Sequence, residues 1–195
     1  RAAARIGAAE VHGDELGSTT LDFRPSGVHP GTYELSIGSA GSACLVLQTV
    51  LPALLSASAP MTLVIEGGTH NPLAPTFPFL RDAFAPLLAR MGVGLALSLP
   101  RHGFAPAGGG RLEAVVTPGP LRRLELLDRG AHVRHEARAL VAGLAPSIGR
   151  REVDVLAKRL GLSPRETHVD PVEASGHGNV AFFTTEHEHV TEVFA

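Results

Sequence analysis

Apolar and polar positions change their period several times along the chain, and each change marks an element. Strands are expected over 33–37 and 61–66, with a helix over 43–55 between them. A second helix is expected over about 77–91, where Phe79, Leu80, Ala83, Phe84, Leu87 and Leu88 recur at three-to-four spacing and Gly92 closes the pattern. Strands over 93–99 and 111–117 follow, separated by residues 100–110, whose proline and glycine content reads as a turn or loop. The resulting order, β-α-β-α-β-β, places two helices on one face of a four-stranded sheet and sets the fold class as α/β, of the α+β kind. Such a unit leaves its helical face in need of cover, so sister units are expected beyond it, although no internal repeat is visible.

After Pro118-Gly119-Pro120 the texture changes. Strands are expected over 121–127 and 131–142, a helix over 146–160 ending at Gly161, and strands over 165–170 and 179–186 around the polar loop 173–179. The polar turn Asp128-Arg129-Gly130 sets a boundary, giving one domain over 1–127 and a small α/β unit over 128–195. The alanine-rich start at Arg1 reads as the tail of a helix already under way, and residues 190–195 alternate like a strand and stop without a polar tail. Both ends are therefore expected to be cuts in a longer chain.

With 44% hydrophobic residues and a mean hydropathy of +0.15, 195 residues suffice for a substantial core. No apolar run of about 18 residues predicts a membrane span, and a cytoplasmic protein is the default expectation. The lone Cys44 excludes an internal disulfide, and its apolar surroundings mark it as a buried thiol. A formal charge of −2 offers no global attraction for nucleic acid, so RNA binding would need a local patch. The pairs His132/His135 and His187/His189 lack further ligands at metal spacing and read as solvated strand positions.

Three stretches carry candidate chemistry. The 43–55 helix is apolar almost all round, which predicts burial on every side, yet it contains Gln48 and a kinking Pro52. Gln48 either bonds the backbone of a neighbouring loop or faces a ligand. Ahead of it, Gly38-Ser39-Ala40-Gly41-Ser42 offers Ser42 as an N-cap, with free N–H groups that suit an anion or are simply capped. The stretch from Glu66 to Pro75 leaves the carboxyl end of a strand, where Gly67 and Gly68 allow close backbone approach and Pro75 and Phe77 offer a rigid apolar surface.

The third stretch, Arg101-His-Gly-Phe-Ala-Pro-Ala-Gly-Gly-Gly-Arg-Leu112, resembles the signature of the RNA 3'-terminal phosphate cyclases. Residues 36–52 and 67–75 match that family's pattern in the same order, and the resemblance runs essentially end to end. It implies an ATP-dependent enzyme in which a histidine is adenylated, the AMP passes to an RNA 3'-phosphate, and the vicinal 2'-hydroxyl closes a 2',3'-cyclic phosphate. It also implies a divalent metal, Mg or Mn, and an architecture of three β-α-β-α-β-β repeats plus an inserted domain, of which this chain would hold the second repeat and most of the insert.

By the same resemblance Gln48 contacts ATP and Pro75 lies in the loop bordering the nucleotide. The metal-binding segment and the nucleophilic histidine fall outside 1–195, so no catalytic or metal residue is nominated and the chain alone is expected to be inactive. The partners implied are RNA 3'-phosphate ends and ATP, with no membrane. Arg101 and His102 either touch RNA phosphate or are solvated turn residues, and a tight turn accounts for Gly108 to Gly110. A non-catalytic ribosome-biogenesis relative with the same fold is the alternative implied.

Overall fold

The computed structural model describes all residues from Arg1 to Ala195. After a short helix α1 (Ala2–Ile6) and a two-stranded ribbon, β1 (Glu10–His12) and β2 (Asp22–Arg24), the chain builds the expected unit. It consists of β3 (Thr32–Ser36), α2 (Ala43–Leu54), β4 (Met61–Gly67), a π-turn (Phe79–Phe84) running into α3 (Ala85–Arg90), β5 (Gly94–Arg101) and β6 (Gly110–Thr117). The sheet order is β3-β4-β6-β5, with β3 parallel to β4 and the others antiparallel. Pro100, which cannot donate to a ladder, is tolerated because β5 is an edge strand with a register shift between Ser98 and Arg101.

Alternate residues of the two central strands face the helices: Met61 pairs with Val116, Leu63 with Ala114 and Ile65 with Leu112, all buried. Against them pack Leu47, Val50, Leu51 and Leu54 of α2, Leu80 of the π-turn, and Ala85 and Leu88 of α3. The expected second helix is thus two segments. Pro86 supplies no N–H and its ring crowds the carbonyl four residues back, and the wide turn ahead of it, where the Ala85 N–H donates to Leu80, relieves that conflict.

Two expectations fail. Helix α2 is not buried all round: Leu45, Gln48, Thr49 and Pro52, one stripe at helical spacing, are exposed, because the elements of this chain cover only its sheet-facing side. Residues 121–127 form no strand. Pro118 and Pro120 cannot donate to a ladder, and the apolar members Leu126 and Leu127 instead line a cavity with Phe79, Phe84, Leu87, Val193 and Phe194.

The second sheet, ordered β10-β9-β7-β8, contains β7 (His132–Ala142), β8 (Thr167–Pro171), β9 (Gly178–His187) and β10 (Thr191–Phe194). Helix α4 (Pro146–Leu160) starts on proline, ends at left-handed Gly161, and packs Val153 on Ala137 and Ala139. Gly149 permits that approach, since a Cβ there would meet Val141 at 2.7 Å and Ala139 at 3.0 Å. The strand expected from 165 begins only at Thr167, because Ser163 and Glu166 close a capping box around the 3-10 turn Pro164–Glu166.

Truncating Ile65, fully buried between strand and helices, to alanine should lower unfolding stability by about 2–5 kcal/mol. Val115→Ala, at a position 41% exposed, should stay within roughly 0.5 kcal/mol in the same urea titration.

Candidate functional site

Three loops far apart in sequence meet at the carboxyl ends of β3 and β4. The segment after β3 joins the segment after β4 through Gly68 N–H to Gly41 O (2.7 Å), Ala43 N–H to Gly68 O (2.8 Å) and Asn71 Nδ2 to Ala40 O (2.6 Å). The β5–β6 hairpin joins at Thr69: its N–H donates to Gly103 O (2.8 Å) and its hydroxyl accepts the Gly103 N–H (2.9 Å). Gly67 pairs with Gly110 across the ladder. The two stretches singled out at 66–75 and 101–112 are therefore one structural object, seated beside the start of α2.

The glycines serve different ends from those expected. A Cβ on Gly67 would meet Ile37 at 2.6 Å and Gly41 O at 2.7 Å, and one on Gly68 would overlap Ala40 O. Both are consumed in holding loop against loop. Gly38, with φ +72° and nothing near it, is needed for its left-handed backbone alone. Ser42 caps α2 by accepting the Leu45 N–H at 3.2 Å. With Ala43 bonded to Gly68, ordinary capping accounts for two of the helix's free N–H groups.

Gln48 lies six residues, roughly 9 Å, along α2 from this cap. It is exposed, so within this chain it is not a core amide. Pro52 has no N–H to offer the Gln48 carbonyl, so that residue carries a free backbone acceptor as well as a free amide on one open helix face. Pro75 is half-buried at the end of the loop that also supplies His70 and Phe77. Cys44, beneath them, is inert: burial pushes its thiol up to about 12.

Sequence reasoning missed His70. Its Nε2 lies 2.9 Å from Nδ1 of His102, its ring stacks on His102 and Phe104 with centroids 5.2 and 5.0 Å apart, and it is buried. Desolvation, then the neighbouring His102, brings its pKa down to about 4. Burial likewise lowers His102, which is half-buried and not the solvated turn residue that its proline- and glycine-rich context implied. Arg101 does stay exposed, donating to Gly109 O and standing 3.6 Å from Glu66.

The two histidines border a cleft of about 610 Å³ between the sheets. Phe77, Leu97 and Leu99 form one wall, while Leu140, Phe182 and an Arg138 shared between Glu136 and Asp170 form the other. A second cluster missed by periodicity lies on β7 and β9. The register shift between His132 and Arg134 turns His132 onto the face of His135, with its ring 4.9 Å from His135 and 5.5 Å from His187. His187 is 9% exposed, a correction to its expected solvation, whereas His189 is exposed and bonds Asp128 at 3.1 Å. No group of three or more His, Cys, Asp or Glu is arranged to hold a metal ion.

Two helix-on-sheet units locked through glycine-rich loops at the carboxyl ends of parallel strands define a two-sheet α+β protein whose candidate ligand edge lies beside α2. The family model for RNA 3'-terminal phosphate cyclase matches residues 1–187. A protein named RNA 3'-terminal phosphate cyclase from Koribacter versatilis is 48% identical over 195 residues, covering 99% of this chain and 55% of the relative. One of the same name from Ralstonia nicotianae is 49% identical over 197 residues, 100% of this chain and 56% of its own. Another, from Pseudomonas aeruginosa, is 51% identical over 168 residues, 86% of this chain and 49% of its own. The chain belongs to the RNA 3'-terminal phosphate cyclase family, and it spans about half the length of these curated relatives.

A folded pKa below the ordinary 6.5 means that the unfolded chain takes up its proton first as pH falls. His70 should therefore contribute its full stability above about pH 6.5 and lose it progressively towards pH 4, by on the order of 3 kcal/mol. Urea midpoints between pH 4 and 7.5 should slope less in His70→Gln than in the parent, and equal slopes would remove His70 as the source.

Proposed function

We propose that the protein of which this chain forms part is an ATP-dependent ligase-type enzyme that converts an RNA 3'-terminal phosphate into a 2',3'-cyclic phosphate. A histidine nitrogen attacks the α-phosphorus of ATP and pyrophosphate leaves. An oxygen of the RNA 3'-phosphate then takes the adenylyl group and frees the histidine. The vicinal 2'-hydroxyl closes on the 3'-phosphorus, AMP departs and the hydroxyl proton is released. What supports this reading is the family membership, together with the way the signature at 101–112 is bonded to the loops that flank α2.

In this scheme Gln48 contacts the nucleotide through its exposed amide, and Pro75 borders it with a flat apolar surface. Residues 1–127 form the repeat domain and 128–195 the insert, acting in the cytoplasm. The nucleophile is not His70, whose Nε2 is engaged by His102 and whose Nδ1 is buried without a partner. A divalent metal, Mg or Mn, belongs to the same chemistry, and no group of three or more His, Cys, Asp or Glu in 1–195 is arranged to hold it.

Incubated with ATP and Mg or Mn, the 195-residue chain should form no acid-labile AMP adduct by intact mass, while a full-length relative carrying these residues should form one. Absence of the adduct in the longer protein would favour the binding-module alternative.

In that longer protein Gln48→Met should reduce adenylate yield about tenfold. At an exposed position it should leave the unfolding free energy from a urea titration within roughly 0.5 kcal/mol of the parent. Normal adenylation would take Gln48 out of the site.

A further inference from the structure

The consecutive glycines of the signature look interchangeable as a turn, but each faces a different neighbour. Gly108 and Gly109 both hold left-handed backbone, φ +66° and +68°, so alanine imposes the same backbone strain at either. Their surroundings differ. A Cβ on Gly108 would meet Ser39 O at 2.8 Å and Ala40 Cα at 2.9 Å, main-chain atoms of the loop that leads into the Ser42 cap and the helix bearing Gln48. A Cβ on Gly109 would meet Ser175 Oγ at 2.6 Å and its Cβ at 3.0 Å, in the loop joining β8 to β9 of the second sheet.

The same second-sheet loop is fixed to the signature at three further points. Ala174 bridges His102, a Cβ on Gly176 would meet that of Ala107 at 2.5 Å, and one on Gly178 would overlap the Phe104 ring. A Cβ on Gly110 would point inward, 2.7 Å from the Gly103 nitrogen and from Thr69 Cγ2. We propose that Gly108 and Gly109 are positioning residues with separate clients: Gly108 sets the 38–42 loop and through it Gln48, and Gly109 sets the second sheet against the first. The catalytic consequence rests on the cyclase function proposed above, whereas the positional claim stands on the packing alone.

The two clashes differ in how they can be relieved. Backbone crowds Gly108, so no single side-chain change makes room there. Only the Ser175 side chain, on an exposed residue, crowds Gly109, so Ser175→Gly should rescue Gly109→Ala and leave Gly108→Ala unrescued.

Hydrogen exchange on the 195-residue chain tests this directly. Gly108→Ala should speed exchange at least tenfold over residues 38–46 and spare 172–178, and Gly109→Ala should do the reverse. Gly109→Ala/Ser175→Gly should return 172–178 to the level of Ser175→Gly alone. If a single variant unfolds, recovery of the urea transition by Ser175→Gly in the Gly109→Ala background, and not in the Gly108→Ala background, decides the same question. Indistinguishable exchange patterns for the two alanines, or a failed rescue, would reduce the triplet to a plain turn and overturn the proposal.

In the full-length enzyme Gly108→Ala should raise KM for ATP in adenylation about tenfold, with KM unchanged in Gly109→Ala. An equal rise in both would overturn the division of roles. A parent that adenylates nothing would sink the cyclase function and leave the exchange result standing.

Discussion

Where Gly67, Gly103 and Gly110 meet, three stretches of main chain touch with no side chain between them. A single Cβ on Gly103 would lie 2.5 Å from both the Gly110 nitrogen and the Gly67 oxygen. That crowding lets Thr69 exchange hydrogen bonds with both polar groups of Gly103, and the exchange holds the β5–β6 hairpin over the end of β4. The other contacts of the site follow from it. His70 is carried beneath His102 and Phe104, the 38–42 loop is pinned between Gly68 and Gly108, and the second sheet is fixed through residues 174–178. Buried main-chain groups must be paired, and here the pairing partners come from loops that are 34 residues apart in sequence.

Most of the fold was legible because its elements have single, strong periods. The short β-branched apolar run in 61–66, the pattern in 111–117 and the helix at 146–160 ending on Gly161 each gave the element that formed. The misses share a different cause, namely that hydrophobic residues were assigned to a partner without knowing which one. The leucines of 121–127 serve a cavity wall as well as they would serve a ladder, and prolines on their N-terminal side settle the choice. The apolar stripe of α2 at Leu45 and Pro52 demanded burial by pattern, yet cover is a property of what lies alongside and not of the helix itself.

The candidate site was legible in its motifs but not in its physics. Glycine-rich spacing at 66–75 and 101–112 marked two stretches that the fold joins at one edge of the sheet, while the purpose of Gly67 and Gly68 was hidden because close approach to a ligand and close approach to another loop demand the same residue. His70 left no signal of its own. One histidine in a polar loop carries no period, and its depressed proton affinity arises from burial, with Phe104 and Phe182 against its ring, and then from His102, all of which meet it only after folding. The bulge that brings His132 beside His135 is equally invisible, since residues three apart on a regular strand point to opposite faces.

A nucleotide site on an exposed helix face would be weak if the face were free to move, because ordering a mobile segment opposes binding. Here the helix is anchored by contacts that involve no ligand. Leu47, Val50, Leu51 and Leu54 anchor the opposite side of α2 in the main core, Ser42 caps its start, and Gly68 accepts its first N–H. Pro52 then exposes the Gln48 carbonyl without loosening the helix, because the turn it interrupts is held by burial on the far side. Under the proposed function, recognition chemistry and structural support occupy opposite sides of one helix, so that a change on the exposed side alters binding while the core that orients it stays intact.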